Sequence, residues 1–417
     1  MKTDNIENRI QADGVGFHEF KRNSNVLTFH DDFAKYVKSF GDVFYWPKGN
    51  FHVVTNALLA KKALTNPLIS CNRSSFFISR MPNMDLSLLS DFFGVVSKMM
   101  VMSDGDAHNK RRSIATFGLN DELIDNYSKQ IPIIIKKLIL DAVSDGKIDF
   151  AKDISSRLPS IILADLFSIP QEDRDKFYEW SGIMTGFFGG GTGYENSDGI
   201  KVNSAAKELK NYFENLLKAR KENLGSDFFS GMLRVAAKHD LDDDELISQA
   251  IMMLVAGQVT TTDQMNNIML QLLQSQKTFS EVKEDNNLIP NMIEELKRLD
   301  PAVTFIFRVA KDDTYIGNQK IHKGETVFIS THTINRDPSL FKNPNNIDIN
   351  RKNMNHYSYG YGAHYCMGAK LARIEMNILF TILINEYPHM KLSAERVERN
   401  HYSLSFSGFN SLPIVLS

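Results

Sequence analysis

The chain has 417 residues, 42% of them hydrophobic and 24% charged, with a formal net charge of −2. That balance supplies a large core and leaves no basic footprint for nucleic acid. Two cysteines, Cys71 and Cys366, exclude a disulfide framework and suit a reducing compartment. Met1 to Gly14 is polar with no apolar signal core, and no uninterrupted apolar run approaches the roughly 18 residues of a spanning helix. A soluble, cytoplasmic protein with no membrane part is expected.

In chain order, Val43 to Trp46 and Phe51 to Val54 flank the turn Pro47-Lys48-Gly49-Asn50, the pattern of a β-hairpin. Asn56 starts a helical pattern through Leu64. Residues 68–105 are rich in Phe, Met and Ser without a clean period, an irregular stretch of a length usual for a functional or a disordered loop. The next helical segment opens with His108-Asn109-Lys110-Arg111-Arg112, which puts His108 and Arg112 on one face at i, i+4. By residue type alone that face is equally a solvated basic one. Residues 121–169 and 171–235 read as helices, with apolar side chains such as Ile131, Ile134 and Leu138 at helical spacing. The glycines of Thr185 to Tyr194 have no preceding apolar strand and the wrong spacing for a dinucleotide loop, so they read as a flexible lid connection.

A long helix is predicted from Asp242–Glu245, whose acids suit an N-terminal turn, to about Gln276. Its centre, Ala256-Gly257-Gln258-Val259-Thr260-Thr261, breaks the apolar pattern with a glycine and hydroxyls; a weakly packed helix with a threonine bonded to the preceding turn would explain that. Glu295 and Arg298 stand at i, i+3, a pair commonplace on surfaces. Tyr315 to Ile329 reads as short strands, Asn335 to Pro338 as a turn, and Leu404 to Asn410 as a hairpin.

The stretch with the strongest chemical content is Tyr357-Ser358-Tyr359-Gly360-Tyr361-Gly362-Ala363-His364-Tyr365-Cys366-Met367-Gly368, which runs into the helical pattern Ala369 to Glu386. A helix N-terminus carries partial positive charge and free N–H donors, which bias a cysteine there towards the metal-ligating thiolate. Gly360, Gly362 and Gly368 let the backbone approach a flat, bulky group. A haem answers that description, because a lone Cys thiolate is one of the few ways to hold haem iron. A buried free Cys beside a glycine turn is the alternative on residue types alone.

This stretch resembles the haem-binding loop of the cytochrome P-450 family, Phe-Gly-x-Gly-x-His-x-Cys-x-Gly, with Tyr359 in the Phe position. The resemblance implies a mainly α (α+β) cytochrome P-450 fold, a helical bundle around the haem with a small N-terminal β region, in a single domain over 1–417. It implies haem b (iron protoporphyrin IX) as cofactor and Cys366 as its metal ligand. His108 and Arg112 match the family's His-x-x-x-Arg element and, with Arg308 and His364, would bind the haem propionates. Ala256, Tyr359, Gly360 and Gly368 would complete the cofactor site. Ala256 to Thr261 match the oxygen-binding kink, so Gly257, Thr260 and Thr261 are the expected catalytic positions. The acid that usually precedes the threonine is Val259 here, and Asp263 lies one turn further on. Glu295 and Arg298 match the Glu-x-x-Arg core, whose buried network Arg351 would complete. Val259, Ala302, Val303, Thr304 and Phe305 would line the substrate pocket, residues 68–105 would lie over the haem, and the tip of the 404–410 hairpin would reach the pocket.

The activity so implied is a haem-thiolate monooxygenase that inserts one oxygen atom from O2 into a small, largely apolar substrate, in secondary metabolism. The chain has no flavin or nicotinamide motif, so a separate ferredoxin or flavodoxin with its reductase is expected as electron donor. Lys370 and Arg373 would form a basic docking patch for it. Neither a nucleic-acid nor a membrane partner is expected, and the protein should be a monomer. Val259 supports an alternative, a peroxide-driven or otherwise non-standard haem-thiolate enzyme; a non-catalytic haem-binding sensor is the reading from another class, against which the retained Thr260 argues.

Overall fold

A computed structural model describes residues 14–188, 194–239, 241–400 and 403–416. The helix Asp243–Gln274 runs through the middle of the molecule. Its start is set by Asp242, whose carboxylate accepts the Glu245 N–H at 2.6 Å while the Glu245 side chain reaches back to the Asp242 N–H. This capping box and the acids Asp243 and Asp244 satisfy the free donors and the positive end of the helix. Leu246 to Val255 and Met265 to Leu272 are buried around most of the circumference, which marks a core helix rather than an amphipathic surface one. Against it pack Leu158–Leu166, Arg174–Phe188, Asn196–Glu222 and Ile289–Leu299.

A five-stranded sheet forms the other part, in the order Val43–Trp46, Phe51–Val54, Thr326–Ser330, Phe305–Ala310, Ile69–Ser70. The first pair is the expected hairpin, with Val43 opposite Val54 and Asn50 in the left-handed region at φ 53°. Phe51–Val54 then pairs in parallel with Thr326–Ser330, Phe51 beside Thr326, and Phe305–Ala310 pairs antiparallel on its far side. Phe307 and Phe328 stack across that pair at 5.1 Å, and Trp46 stacks on Phe17 of the first helix, Phe17–Asn23, at 4.4 Å. The sheet therefore presents Phe305 to Arg308 to the centre of the molecule.

Two expectations are corrected. Residues 121–169 are not helical throughout: Asp145 and Gly146, both at positive φ, turn the chain into the strand Lys147–Asp149, which pairs with Pro413–Val415. Residues 171–235 hold the helices Arg174–Phe188, Asn196–Glu222 and Phe228–Ala236, in line with their pattern. Residues 68–105 are less irregular than their pattern suggests, holding the short helices Ser74–Ser79 and Ser90–Val96, each too short to show a period. Of the glycine-rich stretch read as a lid connection, Thr185 to Phe188 end the helix Arg174–Phe188, and residues 189–193 lie outside the described residues.

Candidate active site

The loop before the helix Ala369–Glu386 turns at Gly360 (φ 77°) and Gly362 (φ 71°), a region that side chains bearing a Cβ rarely enter. It closes through a 2.8 Å hydrogen bond from the Cys366 N–H to the Tyr359 carbonyl and a 3.0 Å bond from the Tyr365 N–H to the Gly362 carbonyl. The Cys366 thiol is presented to a central cavity of about 390 Å3, inside the roughly 300–1,000 Å3 typical of ligand sites. Burial pushes this thiol above its ordinary range, against the Gly368 N–H and the charges of Lys297, Arg112 and Arg373. The helix-start argument thus has the correct sign, but desolvation outweighs it. Cys71 is buried and its N–H donates to Asp104 Oδ1 at 3.0 Å.

His108, Arg112, Arg308 and His364 all line the same cavity, the first two from the helix Gly105–Gly118, Arg308 from the sheet and His364 from the Cys366 loop. The rings of His108 and His364 lie 3.9 Å apart, and His108 Nε2 is buried with no hydrogen-bond partner. Arg308 Nη1 donates to the Phe307 carbonyl at 2.9 Å. Among the described residues, neither Arg112 nor Arg308 is paired with a carboxylate. Arg73, which sequence reasoning missed, joins them, its guanidinium 4.7 Å from the Phe307 ring centroid. The acid in the lining is Glu375, which burial pushes up to about 8, and its Oε2 has no partner. Unpaired cations in a mostly apolar space are costly unless an anion meets them. A flat group with two carboxylates and an iron for Cys366 fits this donor set, and haem b is such a group.

On the opposite wall Ala256, Gly257, Thr260 and Thr261 face the cavity. The helix continues unbroken through them, and Thr260 Oγ1 donates to the Ala256 carbonyl at 2.8 Å. A Cβ on Gly257 would stand 3.1 Å from Leu163 Cδ1, so glycine lets the helix Leu158–Leu166 pack closely. Ala302, Val303 and Phe305 line the cavity as expected. Two expected lining residues do not. Val259 is turned about 160° from Gly257 and Thr261 at 100° per residue, and faces a second cavity with Asp263. Thr304 is buried in the backbone, its N–H bonded to the Ser405 carbonyl at 2.8 Å and its own carbonyl accepting from Thr331. Ser405 and Phe406 from the C-terminal hairpin do reach the cavity.

Behind the Cys366 loop, Glu295 receives Arg298 Nε and Nη2 at 2.8 Å each and Arg351 Nε at 3.1 Å, all buried. Arg298 Nη1 also donates to the carbonyls of Asn335 and Pro344, tying the helix Ile289–Leu299 to the long segment that leads to Cys366. Tyr359, in place of the usual Phe, accepts a 2.6 Å hydrogen bond from buried Lys297, whose ammonium and the Arg373 guanidinium lie 4.2 and 4.5 Å from its ring centroid. The expected basic patch is corrected: Lys370 pairs with Asp121 and Asp125 at 2.8 and 3.1 Å, and Arg373 with Glu294 at 2.8 Å.

A cysteine loop, a cationic rim and an unbroken helix crossing one apolar cavity define a haem-thiolate protein. The family described as Cytochrome P450 matches residues 193–407. The chain is 30% identical over 79% of its length, and 80% of the relative's, to Polyketide biosynthesis cytochrome P450 PksS of Bacillus subtilis (strain 168). It is 28% identical, over 71% of its length and 75% of the relative's, to Cyclomarin C epoxidase CymV of Salinispora arenicola (strain CNS-205). A solved structure of P450BioI, in complex with hexadec-9Z-enoic acid ligated acyl carrier protein, shares the fold at a TM-score of 0.84 and 24% identity, covering 94% of this chain and 100% of that one. The chain belongs to the cytochrome P450 family: it is a haem b-dependent monooxygenase, mostly helical with small sheets. Among the described residues no helix is long and apolar enough to cross a membrane.

Proposed function

We propose that the enzyme inserts one oxygen atom from O2 into a small, largely apolar substrate of secondary metabolism, with electrons drawn from a separate ferredoxin or flavodoxin and its reductase. The observation that supports this is the meeting of the Cys366 thiol with Arg112 and Arg308 around one largely apolar cavity. The relatives named for polyketide biosynthesis and for epoxidation of cyclomarin C support the metabolic setting.

In this reading Cys366 is the iron ligand, and His108, Arg112, Arg308 and His364, with Arg73 beside them, hold the cofactor's carboxylates. When bound, haem with a thiolate ligand supplies the activation of dioxygen and cleavage of its O–O bond. Leu163, Phe188, Met253 and Phe406 exclude water and orient an apolar substrate by shape. Thr260 holds its hydroxyl proton on the Ala256 carbonyl, and rotation about its side-chain bond turns that proton into the cavity, where it can be handed on or can fix a water. Glu295, Arg298 and Arg351 carry no chemistry; they fix the segment that positions Cys366.

The test is a compound library screened for the spectral shift of the ferric enzyme, followed by NADH-driven turnover of the hits under labelled O2. Product carrying one labelled oxygen supports the proposal. Faster turnover with hydrogen peroxide alone would replace it with the peroxide-driven reading, and binding without turnover on either route would leave a haem-binding sensor.

A further inference from the structure

The central helix has a second cavity-lining face. Gln258, Val259, Thr262 and Asp263 turn away from the Cys366 cavity and line a separate one of about 460 Å3. Lys152, Tyr178 and Asn410 at its rim are exposed, so it opens to solvent. Thr185 and Phe406 line both cavities and form the partition between them.

Asp263 sits at the inner end, 3% exposed. Its Oδ1 is 3.5 Å from Asn400 Nδ2, and its Oδ2 has no hydrogen-bond partner. Asn400 Oδ1 also lacks one. Two orphan acceptors on one wall call for water or for a proton on the carboxyl itself. The backbone at Gly408 lies against this carboxyl so closely that a Cβ there would overlap it, which holds the group in place. The charged groups around it are Lys21 from the first helix, Arg399 from the strand Glu398–Arg399, and Asp300 after the helix Ile289–Leu299. Lys21 Nζ donates to the Ser403 and Phe406 carbonyls, so the same ammonium braces the partition residue.

Monooxygenation joins O2, two electrons and two protons with RH to give ROH and water, and Val259 can carry none of those protons. We propose that Asp263 is the relay acid of this enzyme: its carboxyl gives a proton to water in the second cavity, the Thr185 hydroxyl, which lines both cavities, accepts it and releases its own proton to the Thr260 side, and solvent entering at the Lys152–Tyr178 rim re-protonates Asp263. Asp263 acts through water and is a positioning acid rather than a group that touches substrate. Burial pushes it up to about 7, against the charges of Lys21 and Arg399, so both protonation states are populated at neutral pH. The proposal rests on the monooxygenase reading.

The experiment uses the ferric holoenzyme, and the carbon monoxide spectrum of the same preparation checks the monooxygenase reading separately. Infrared titration of protein carrying carbon-13 aspartate should show one protonated carboxyl carbonyl band that fades as pH rises through neutrality and shifts promptly in D2O. The band should vanish in Asp263→Asn. Substrate-free NADH oxidation with a plant-type ferredoxin and its reductase gives the functional arm, since two-electron reduction of O2 to hydrogen peroxide consumes two protons and one-electron release of superoxide consumes none. Asp263→Asn should raise the superoxide-to-peroxide ratio several-fold, Asp263→Glu should hold it near wild type, and Val259→Asp should restore it in the Asp263→Asn background. A wild-type protein with no such band, or a band that resists D2O, overturns the proposal even if no variant folds; so does an unchanged ratio in Asp263→Asn.

Discussion

His108 and His364 face each other with ring centroids 3.9 Å apart, one from the helix Gly105–Gly118 and the other from the turn Gly362–His364. The contact joins the N-terminal half of the site to the cysteine loop. It leaves His108 Nε2 as a buried donor or acceptor without a protein partner, which is a position kept for a ligand. His108→Phe, which keeps the ring packing and removes both nitrogens, should weaken haem retention without loosening the fold. Rates of haem transfer to apomyoglobin, set beside the denaturation midpoint, separate the two.

Arg112 and Arg308 supply the charge at the same rim. Each charge-assisted hydrogen bond is worth about 1.5–3 kcal/mol, so Arg112→Ala with Arg308→Ala should raise the haem dissociation constant at least a hundredfold. Full haem occupancy of the purified double variant at micromolar protein would contradict the assignment.

Cys366→Ser should abolish the strongly red-shifted Soret band of the reduced, carbon monoxide-bound protein, whereas Cys71→Ser should keep it. Cys71 is buried beside Asp104 and is not among the residues lining the cavity. Absorption spectra of the two variants decide between them.

Glu295→Gln leaves Arg298 and Arg351 buried with no neutralising charge. Breaking a buried pair in this way costs roughly 3–5 kcal/mol, and here one carboxylate serves two guanidiniums. Lys370→Ala, which breaks exposed pairs with Asp121 and Asp125, should leave stability almost unchanged. Urea midpoints of both variants test the contrast.

Acid should destabilise the protein through His332. This ring is fully buried, bonded to Asp300 Oδ1 at 3.2 Å, and burial pushes it down to about 4. Between pH 6.5 and 4 the unfolded chain therefore binds a proton that the folded chain refuses, so stability falls as pH falls across that window. The contribution is about 3 kcal/mol over the whole range. His332→Gln should flatten the pH dependence of the urea midpoint there; an unchanged slope would show that other groups carry it.

The cysteine loop, the hairpin at residues 43–54 and the long helix were legible because each has a local cause: glycines at forced turns, a Pro-Lys-Gly-Asn turn, and a capping box. The face assignment of Val259 was legible too, since two residues either way from Gly257 and Thr261 is a turn of about 160° from each, but membership of a motif concealed that. Arg73 left no local signal; it reaches the site only because Ile69–Ser70 pairs with Val309 and Ala310, far along the chain. The neutralisation of Lys370 and Arg373 likewise depends on Asp121, Asp125 and Glu294, which no pattern in the sequence brings to the cysteine helix.

The parallel pairing of Phe51–Val54 with Thr326–Ser330 has a consequence for how the molecule is made. From Val54 to Thr326 a ribosome must add about 270 residues, which at roughly 5–20 residues per second takes about 15–50 s. For that interval the N-terminal hairpin exposes an open edge, and the strand carrying Arg308 and the loop carrying Cys366 are not yet available. The pocket is therefore closed last, by the final fifth of the chain, and nascent protein halted before that point has the arginines of the rim but neither His364 nor a thiolate to receive the cofactor.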